Sequence, residues 1–572
     1  MSKPRGFDGV TLALHQGLFA ACAEEMGATL MRAAHSPNIT ERLDHSCAVF
    51  DTRARLVAQA AHIPVHLGSM PRAVEAALAL APFAPGDAVL LNDPFAGGTH
   101  LPDLTIVSPV FLSGRSRRAS ISARRPPGGR QERGPSFYVA SRAHHADVGG
   151  AAPGSLPLAR EVYEEGLRIP PVRLLRAGAL QQDVLALLLA NVRTPDERRA
   201  DLAAQLGAQA TGERRLTELA RRSGAAGLEA AAAAILAATE RRARAAIGRL
   251  PRGTWRFSDV LDGDGIDDRP VRIAVTLTIG RDRVRADFTG TDRQARGPVN
   301  AVSAVTVAAT LYAVRCVLAE DLPVNDGLLR TIEVVAPLGT VVNPLPPAAV
   351  GAGNVETSQR IVDVVMGALA RALPGRIPAA SYGTMNNLLV GGADPRSGRA
   401  FAYYETLGGG HGAGPGWNGE HAMQAHMTNT RNTPIESLEH AYPMRVESLR
   451  VRRGSGGAGK FRGGDGIERA IELLAPVRVT VIADRRSRGP YGLAGGSAGR
   501  PGETRVRPAA TSRRSVKLPA KFTVDLPKGS VLTVASPGGG GWGRAPHKPS
   551  RRRRQNARTR RAASRSKSIG PE

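Results

Sequence analysis

From Thr11 to Ala34 apolar residues recur at helical spacing, which predicts an amphipathic helix. The pattern then shortens. Val49–Phe50 and Leu56–Ala58 predict short strands, Arg72–Ala81 a helix stopped by Pro82, and Ala88–Leu91 and Leu104–Phe111 two further strands. Order resumes at Phe137–Ala140 after a polar interval. Asp183–Leu250 carries long Ala/Leu/Arg/Glu runs with few breakers and predicts two long helices turning near Ser223-Gly224. It lacks a sustained a/d stripe, so these helices should pack on the body rather than form a coiled coil. From Thr254 to Phe288 the period becomes two, as in Val271, Ile273, Val275 and Leu277, which predicts antiparallel strands. Val302–Leu318 and Ser358–Leu373 return to helical spacing, and the chain from Phe401 to about Gly543 is glycine-dense and strand-like. There is no repeat of fixed period. The fold class expected is α+β: a multi-domain, mixed antiparallel β-rich body with long helices over 183–250.

This pattern divides the chain into an N-terminal α/β region (1–112), a basic insertion (113–134), a helical region (135–250), an α+β middle region (251–400), a glycine-rich β region (401–543) and a basic tail (544–572). The insertion is Arg-, Ser-, Pro- and Gly-rich with few large apolar residues, and both it and the tail are expected to be disordered. Charge sharpens this picture. The net charge of +27 suggests nucleic acid, but residues 113–134 hold seven arginines against one glutamate, and 543–572 hold eleven lysines and arginines against one glutamate. More than half of the excess therefore sits in two low-complexity segments, with no interleaved aromatics for base stacking, and specific nucleic-acid binding is not expected. No run of about eighteen apolar residues predicts a membrane span. Met1–Val10 is polar and lacks a signal-peptide core. Cys22, Cys47 and Cys316 are few, far apart and without Cys-x-x-Cys spacing. They fit a reducing cytoplasm rather than disulfides or a cysteine zinc site, with Cys22 and Cys47 expected to be small core residues.

Two short segments carry the candidate chemistry: Asn92-Asp93-Pro94-Phe95-Ala96-Gly97-Gly98-Thr99-His100-Leu101-Pro102-Asp103 and Ala143-His144-His145-Ala146-Asp147-Val148-Gly149-Gly150. Each sets imidazoles beside carboxylates on a backbone loosened by paired glycines, the mixed N/O donor set that divalent ions such as Mn, Mg, Zn and Fe require. The first segment lies between two predicted strands, which suits a site of fixed geometry. Adjacent residues of an extended segment point to opposite faces, so one of His144 and His145 should face the site, with His144 the first choice.

These segments, with Ser36–Asp44, Ile63–Pro71, Asn191–Pro195, Gly353–Arg360, His426–Thr430 and Ser536–Gly541, resemble the hydantoinase B / 5-oxoprolinase family, which also includes the large subunit of acetone carboxylase-type enzymes. The resemblance covers about Ser36 to Gly543. It implies an ATP-dependent hydrolase of cyclic amides such as 5-oxoproline or hydantoins. A separate hydantoinase A-type ATPase would phosphorylate the substrate, and this chain would resolve the phosphorylated lactam at a divalent metal. It further implies a hetero-oligomer, with a place in glutathione metabolism. On this reading the metal ligands are His100, Asp103 and His144 or His145. Asp93, Asp147, His66 and Glu41 are candidate catalytic or ligand-orienting groups. Asn38, Glu356, Arg360 and His426 are candidate substrate contacts, Arg360 by gripping a carboxylate or phosphate.

Competing signals are weaker. Gly454–Phe461 nearly matches a phosphate-binding loop but places Phe461 where a Ser or Thr must bind Mg²⁺. Asp262–Asp268 lacks the spacing of a calcium loop and reads as a tight turn. Gly538–Gly541 reads as a flexible turn. No Gly-x-Ser-x-Gly supports a serine nucleophile. The alternatives that remain are a ketone carboxylase large subunit and a non-catalytic scaffold for the ATPase.

Overall fold

The first helix, α1 (Gly9–Ala33), is started by Asp8, whose carboxylate accepts from Thr11 N at 2.7 Å. The computed structural model that shows this describes residues 7–60, 63–66, 68–112, 134–318, 321–508 and 514–545, so the insertion through 133 and the basic tail beyond 545 lie outside the described residues. After α1 come α2 (Pro37–Thr40), β1 (His45–Asp51), β2 (Leu56–Gln59), a 3-10 turn at Pro64–His66 and α3 (Met70–Leu78). Next are β3 (Ala88–Leu91), β4 (Asp103–Val110), β5 (Phe137–His144), α4 (Val162–Glu165), β6 (Val172–Arg176) and β7 (Ala179–Leu180). The seven strands form one antiparallel sheet in the order β2-β1-β5-β4-β3-β6-β7.

Helices α5 (Gln182–Ala190), α6 (Pro195–Ser223) and α7 (Ala225–Gly248) follow. The region 183–250 therefore holds three helices where two were expected. The extra break falls at Asn191–Thr194, because the residue before Pro195 is driven from helical geometry while Pro195 itself suits a first helical turn. The sheet is buried on both faces. Cys47 and Val49 of β1 join Phe19, Cys22 and Met26 of α1 and residues of α6 and α7, whereas Ala48 and Phe50 join Met70, Ala73 and Val74 of α3. This two-sided burial is why β1 shows no polar alternation.

The middle of the chain contributes β8 (Gly253–Leu261), β9 (Val271–Ile279), β10 (Val284–Asp287), α8 (Ser303–Arg315), α9 (Asp326–Leu329) and β11 (Ile332–Val335), with the sheet ordered β11-β10-β9-β8. A π-helical turn, Gly353–Thr357, runs into α10 (Ser358–Ala372), which is buried on almost every side between α8 and the sheet. The remaining elements are β12 (Asn387–Ala393), β13 (Ala400–Glu405), α11 (Ile435–Ala441), β14 (Met444–Arg452), β15 (Gly466–Leu473), β16 (Val477–Ile482), β17 (Glu503–Arg507), β18 (Val516–Leu518), β19 (Lys521–Leu526) and β20 (Val531–Ala535). They form two sheets, β13-β12-β16-β19 and β14-β15-β20-β17-β18. The whole is a multi-domain α+β architecture dominated by antiparallel sheets.

Gly538–Gly541 is not a flexible turn. It is clamped backbone to backbone: a Cβ on Gly538 would lie 2.1 Å from Ser455 O, and one on Gly463 would lie 2.0 Å from Gly539 O. The Gly454–Phe461 segment belongs to this glycine stack, where Lys460 N donates to Gly543 O. The Asp262–Asp268 segment is a turn, with Asp264 Oδ1 accepting from Ile266 N and Asp267 N.

Candidate metal centre

Asp103 opens β4 and His144 closes β5, and the two are paired directly across the antiparallel ladder. Cross-strand partners share a face, so their side chains meet at the same end of the sheet. His100 comes from the loop leading into β4. Gly97 holds φ +94° in that loop, and a Cβ on Gly98 would collide with Asn92 O at 2.3 Å. Asn92 ties the loop down by donating to Leu101 O at 2.7 Å and accepting from Ile169 N at 2.6 Å. The result is a buried triad. Asp103 Oδ1 lies 3.1 Å from His100 Nε2 and 3.2 Å from His144 Nδ1, and those two nitrogens are 3.2 Å apart. One donor atom from each of the three residues lies within 4.8 Å of the others, close enough to hold one metal ion.

A ring of supports surrounds the triad. Thr99 donates to Asp103 Oδ2 at 2.6 Å, and Asn354 Nδ2, on the π-helical turn, approaches the same oxygen at 3.4 Å. His66 Nε2 stands 3.5 Å from Asp103 Oδ2, with its other nitrogen on Ser46 Oγ at 2.8 Å. His100 Nδ1 faces the Gly351 carbonyl at 3.2 Å, which leaves the Nε2 lone pair of the neutral ring directed at the triad. Asp44, His66, His100, Asp103, His144, Asn354, Tyr404, Thr406 and Thr428 line a cavity of about 20 Å³, closed by Ile63, Val65, Met385 and Met427. That volume holds one ion or one water and no ring-sized molecule.

Burial works to raise the Asp103 carboxyl, but His100, His144 and His66 outweigh it and hold it well below the usual carboxylate range. Burial pushes His66 and His144 down, with only partial recovery from Asp103. Burial lowers His100, but the charge and hydrogen bond of Asp103, the Gly351 carbonyl and Asp44 together outweigh it and raise the imidazole, and burial raises Asp44. The residues therefore fit a divalent ion: an ionised carboxylate, two imidazole nitrogens converging without a protein hydrogen between them in the neutral tautomers, and a buried surround.

The structure separates the other sequence candidates from this centre. His145, the residue after β5, turns away from the triad, and its Nε2 meets Gln205 Oε1 of α6 at 3.0 Å, while burial with the nearby Arg198 lowers it to about 4. It is displaced from the ligand set by alternation along the extended segment. Asp147 is consumed by its own loop: it accepts from Gly149 N, Gly154 N and Arg193 N and pairs with the Arg193 guanidinium at 2.9 Å. Asp93 caps the 3-10 turn Pro94–Ala96 through Phe95 N and faces Arg168, and so orients no imidazole. Glu41 is half-buried at the end of α2 and does not line the cavity, whereas Asp44 does.

Asn38 donates to the His144 carbonyl at 3.4 Å and accepts from Arg42 at 3.2 Å, so it steadies the strand end. Arg360 is locked in a buried ion network with Asp259 (2.9 Å) and Asp484 (2.8 Å), and its charge is spent there. Glu356 is wholly buried, with Oε1 accepting from Met385 N and Asn387 Nδ2. His426 is half-buried against Tyr312 at φ +58°, adjacent to but outside the cavity that Met427 and Thr428 line. Ser46, Asn354, Gly351 and Tyr404 were not singled out by sequence. Asn354 lies within the Gly353–Arg360 motif, but Tyr404 sits in an ordinary strand and offers no local signal.

Glu165 shows how remote segments set this geometry. Its Oε1 accepts from Val350 N (2.9 Å) and Gly351 N (2.7 Å), fixing the turn whose carbonyl meets His100. Burial raises its carboxyl to about 8. The unfolded chain therefore ionises first as pH rises from about 4.5, and this group's stability contribution is lost between there and about 8. We expect Glu165→Gln to flatten the fall in unfolding free energy over that window by on the order of a few kcal/mol. Chemical denaturation at pH 5, 6.5 and 8 checks it, and an unchanged slope would exclude the buried-carboxyl account.

The sequence model of the family described as Hydantoinase B/oxoprolinase matches residues 8–545. The 5-oxoprolinase 1 of Arabidopsis thaliana is 37% identical over 94% of this chain, which spans only 42% of that protein's length. A D-/L-hydantoinase B component of a Pseudomonas strain is 30% identical over 94% of this chain and 90% of its own. The crystal structure of an ATP-dependent caprolactamase from Pseudomonas jessenii superposes with a TM-score of 0.85 at 27% identity, covering 97% of this chain and 94% of that one. No helix among the described residues is long and apolar enough to cross a membrane. A match from residue 8 to residue 545, encompassing the whole His/Asp centre, makes this chain a member of the hydantoinase B/oxoprolinase family.

Proposed function

We propose that the chain is the hydrolytic B-type component of an ATP-dependent cyclic amide hydrolase, acting on 5-oxoproline- or hydantoin-type lactams with a separate hydantoinase A-type ATPase. The observation that carries this reading is the buried His100–Asp103–His144 triad in a cavity sized for one ion. The names of the relatives, oxoprolinase, hydantoinase and caprolactamase, supply the substrate class.

A lactam carbonyl is a weak electrophile, and phosphorylation of its oxygen by the partner would make the carbon electrophilic enough for water to add. His100, Asp103 and His144 would hold the divalent ion, which when bound lowers the pKa of water and polarises an oxygen. His66, kept neutral by burial, would donate from Nε2 to Asp103 Oδ2 and accept at Nδ1 from Ser46, and so hold the ligating carboxylate in place. Asp44, raised by burial and in the same cavity, would give its proton to the ring nitrogen as the C–N bond breaks and regain one from the attacking water, leaving an acyl phosphate that a second water cleaves to carboxylate and phosphate. Because the cavity is small, part of its wall would have to move for substrate to reach the centre.

The test pairs the purified chain with its ATPase, ATP and a panel of 5-oxoproline, hydantoin and caprolactam, following ring opening and phosphate release together. Lactam-dependent ring opening that needs both chains and metal supports the proposal. Phosphate release by the partner with no ring opening for any lactam, after reconstitution with Mn, Zn, Fe and Mg, would instead favour the scaffold role.

A further inference from the structure

Three imidazoles converge on Asp103, and two of them have their far nitrogen anchored: His100 Nδ1 by the Gly351 carbonyl and His66 Nδ1 by Ser46 Oγ. His144 differs. Its Nδ1 faces the triad, but its Nε2 is buried with no hydrogen-bond partner. What holds that ring is a face. The Tyr404 ring stacks on it with centroids 4.6 Å apart and planes 24° apart. Tyr404 is in turn fixed at both ends. The Arg42 guanidinium lies over its ring at 4.6 Å and donates to its carbonyl at 2.6 Å. Its hydroxyl donates to Asn387 Oδ1 at 3.0 Å, and Asn387 Nδ2 donates to Glu356 Oε1 at 2.8 Å and to Ile482 O at 2.8 Å.

We infer that Tyr404, tethered through Asn387 to Glu356, is a positioning residue that fixes the His144 ring for metal ligation in place of the hydrogen bond its neighbours use. This rests on the metal-dependent reading above. The physical need is general: a ligating imidazole must have its orientation set by a partner outside the ligand shell, and losing that partner weakens metal binding by about 10–100-fold. Here the far nitrogen has no acceptor, so an aromatic face does the work. The π-helical turn Gly353–Thr357 serves both sides of the arrangement, since it carries Asn354 to Asp103 and Glu356 to the Tyr404 tether. Such turns concentrate at functional sites. Tyr404 and its tether come from the C-terminal half of the chain, so the N-terminal ligand set is completed only when the two halves pack.

The experiment titrates Co²⁺ into the metal-free full-length chain and records both affinity and the visible absorption of the bound ion. Tyr404→Leu should weaken binding about tenfold or more and shift the spectrum. Tyr404→Phe, which keeps the stacked face, should restore most of both. Asn387→Ala leaves the ring in place and loosens only its tether, so it should give an intermediate spectral shift, and it carries the test if Tyr404→Leu does not fold. With the ATPase present, kcat should fall in these variants with KM unchanged. Wild-type affinity and spectrum in both Tyr404→Leu and Asn387→Ala would overturn the positioning role while leaving the metal centre standing. No Co²⁺ uptake by the wild type would overturn the metal reading and this inference with it.

Discussion

Asp103→Asn should strip the chain of its divalent ion: the loss in affinity should exceed the ~100-fold that marks removal of a supporting partner, and ring-opening activity should disappear with it. Asp103 is the hub of the centre, within 3.1–3.2 Å of both ligand imidazoles through Oδ1, and facing Thr99, Asn354 and His66 through Oδ2. Asparagine keeps the volume and one oxygen but removes the charge that offsets two buried imidazoles and attracts the cation. Elemental mass spectrometry on the purified wild type, Asp103→Asn and Asp93→Asn reads the outcome. Asp93 belongs to the same sequence motif but caps a turn, so Asp93→Asn should retain the ion in full. Equal metal content in all three proteins would remove Asp103 from the ligand set. Equal loss in both variants would mean that loop integrity, not ligation, governs the site.

The second large effect is on stability. Arg360 is wholly buried and pairs with Asp259 and Asp484, while Arg485 joins Asp259 to Asp363 and Lys521 adds to Asp484. Burial disfavours the Arg360 cation, but these carboxylates outweigh it and raise it above its ordinary value. Arg360→Met leaves those carboxylates undercompensated in a dry interior, which costs about 3–5 kcal/mol. Denaturant unfolding should show that loss, while the folded fraction keeps its metal and its KM. A change in KM at unchanged stability would instead restore Arg360 as a substrate contact.

Much of the His/Asp cluster was legible because its members are local. His100 and Asp103 are three residues apart in a loop between strands, and alternation along an extended segment requires His144 and His145 to part company. Asp147 and Asp93 misled because a carboxylate beside a glycine-rich turn serves the turn's own N–H groups as readily as a metal, and spacing alone does not distinguish these uses. Arg360 and Glu356 misled similarly. Their motif marks a strongly constrained segment, and the constraint is a buried polar network rather than a ligand. The third helix in 183–250 was written in Thr194-Pro195, a local stop-and-start signal hidden by the surrounding helical composition.

By itself, then, the sequence determined the α+β class, the long helices, the strands that flank the glycine loop and the donor residue types, because these depend on periodicity, backbone freedom and residue type within short windows. Only the tertiary structure decided which groups meet. The pairing of Asp103 with His144 follows from strand register, the arrival of His66 and Asn354 from packing around the sheet end, and the stacking of Tyr404 from a strand about 260 residues downstream of His144. Those contacts join segments distant along the chain, and no local pattern encodes a neighbour that burial alone brings into reach.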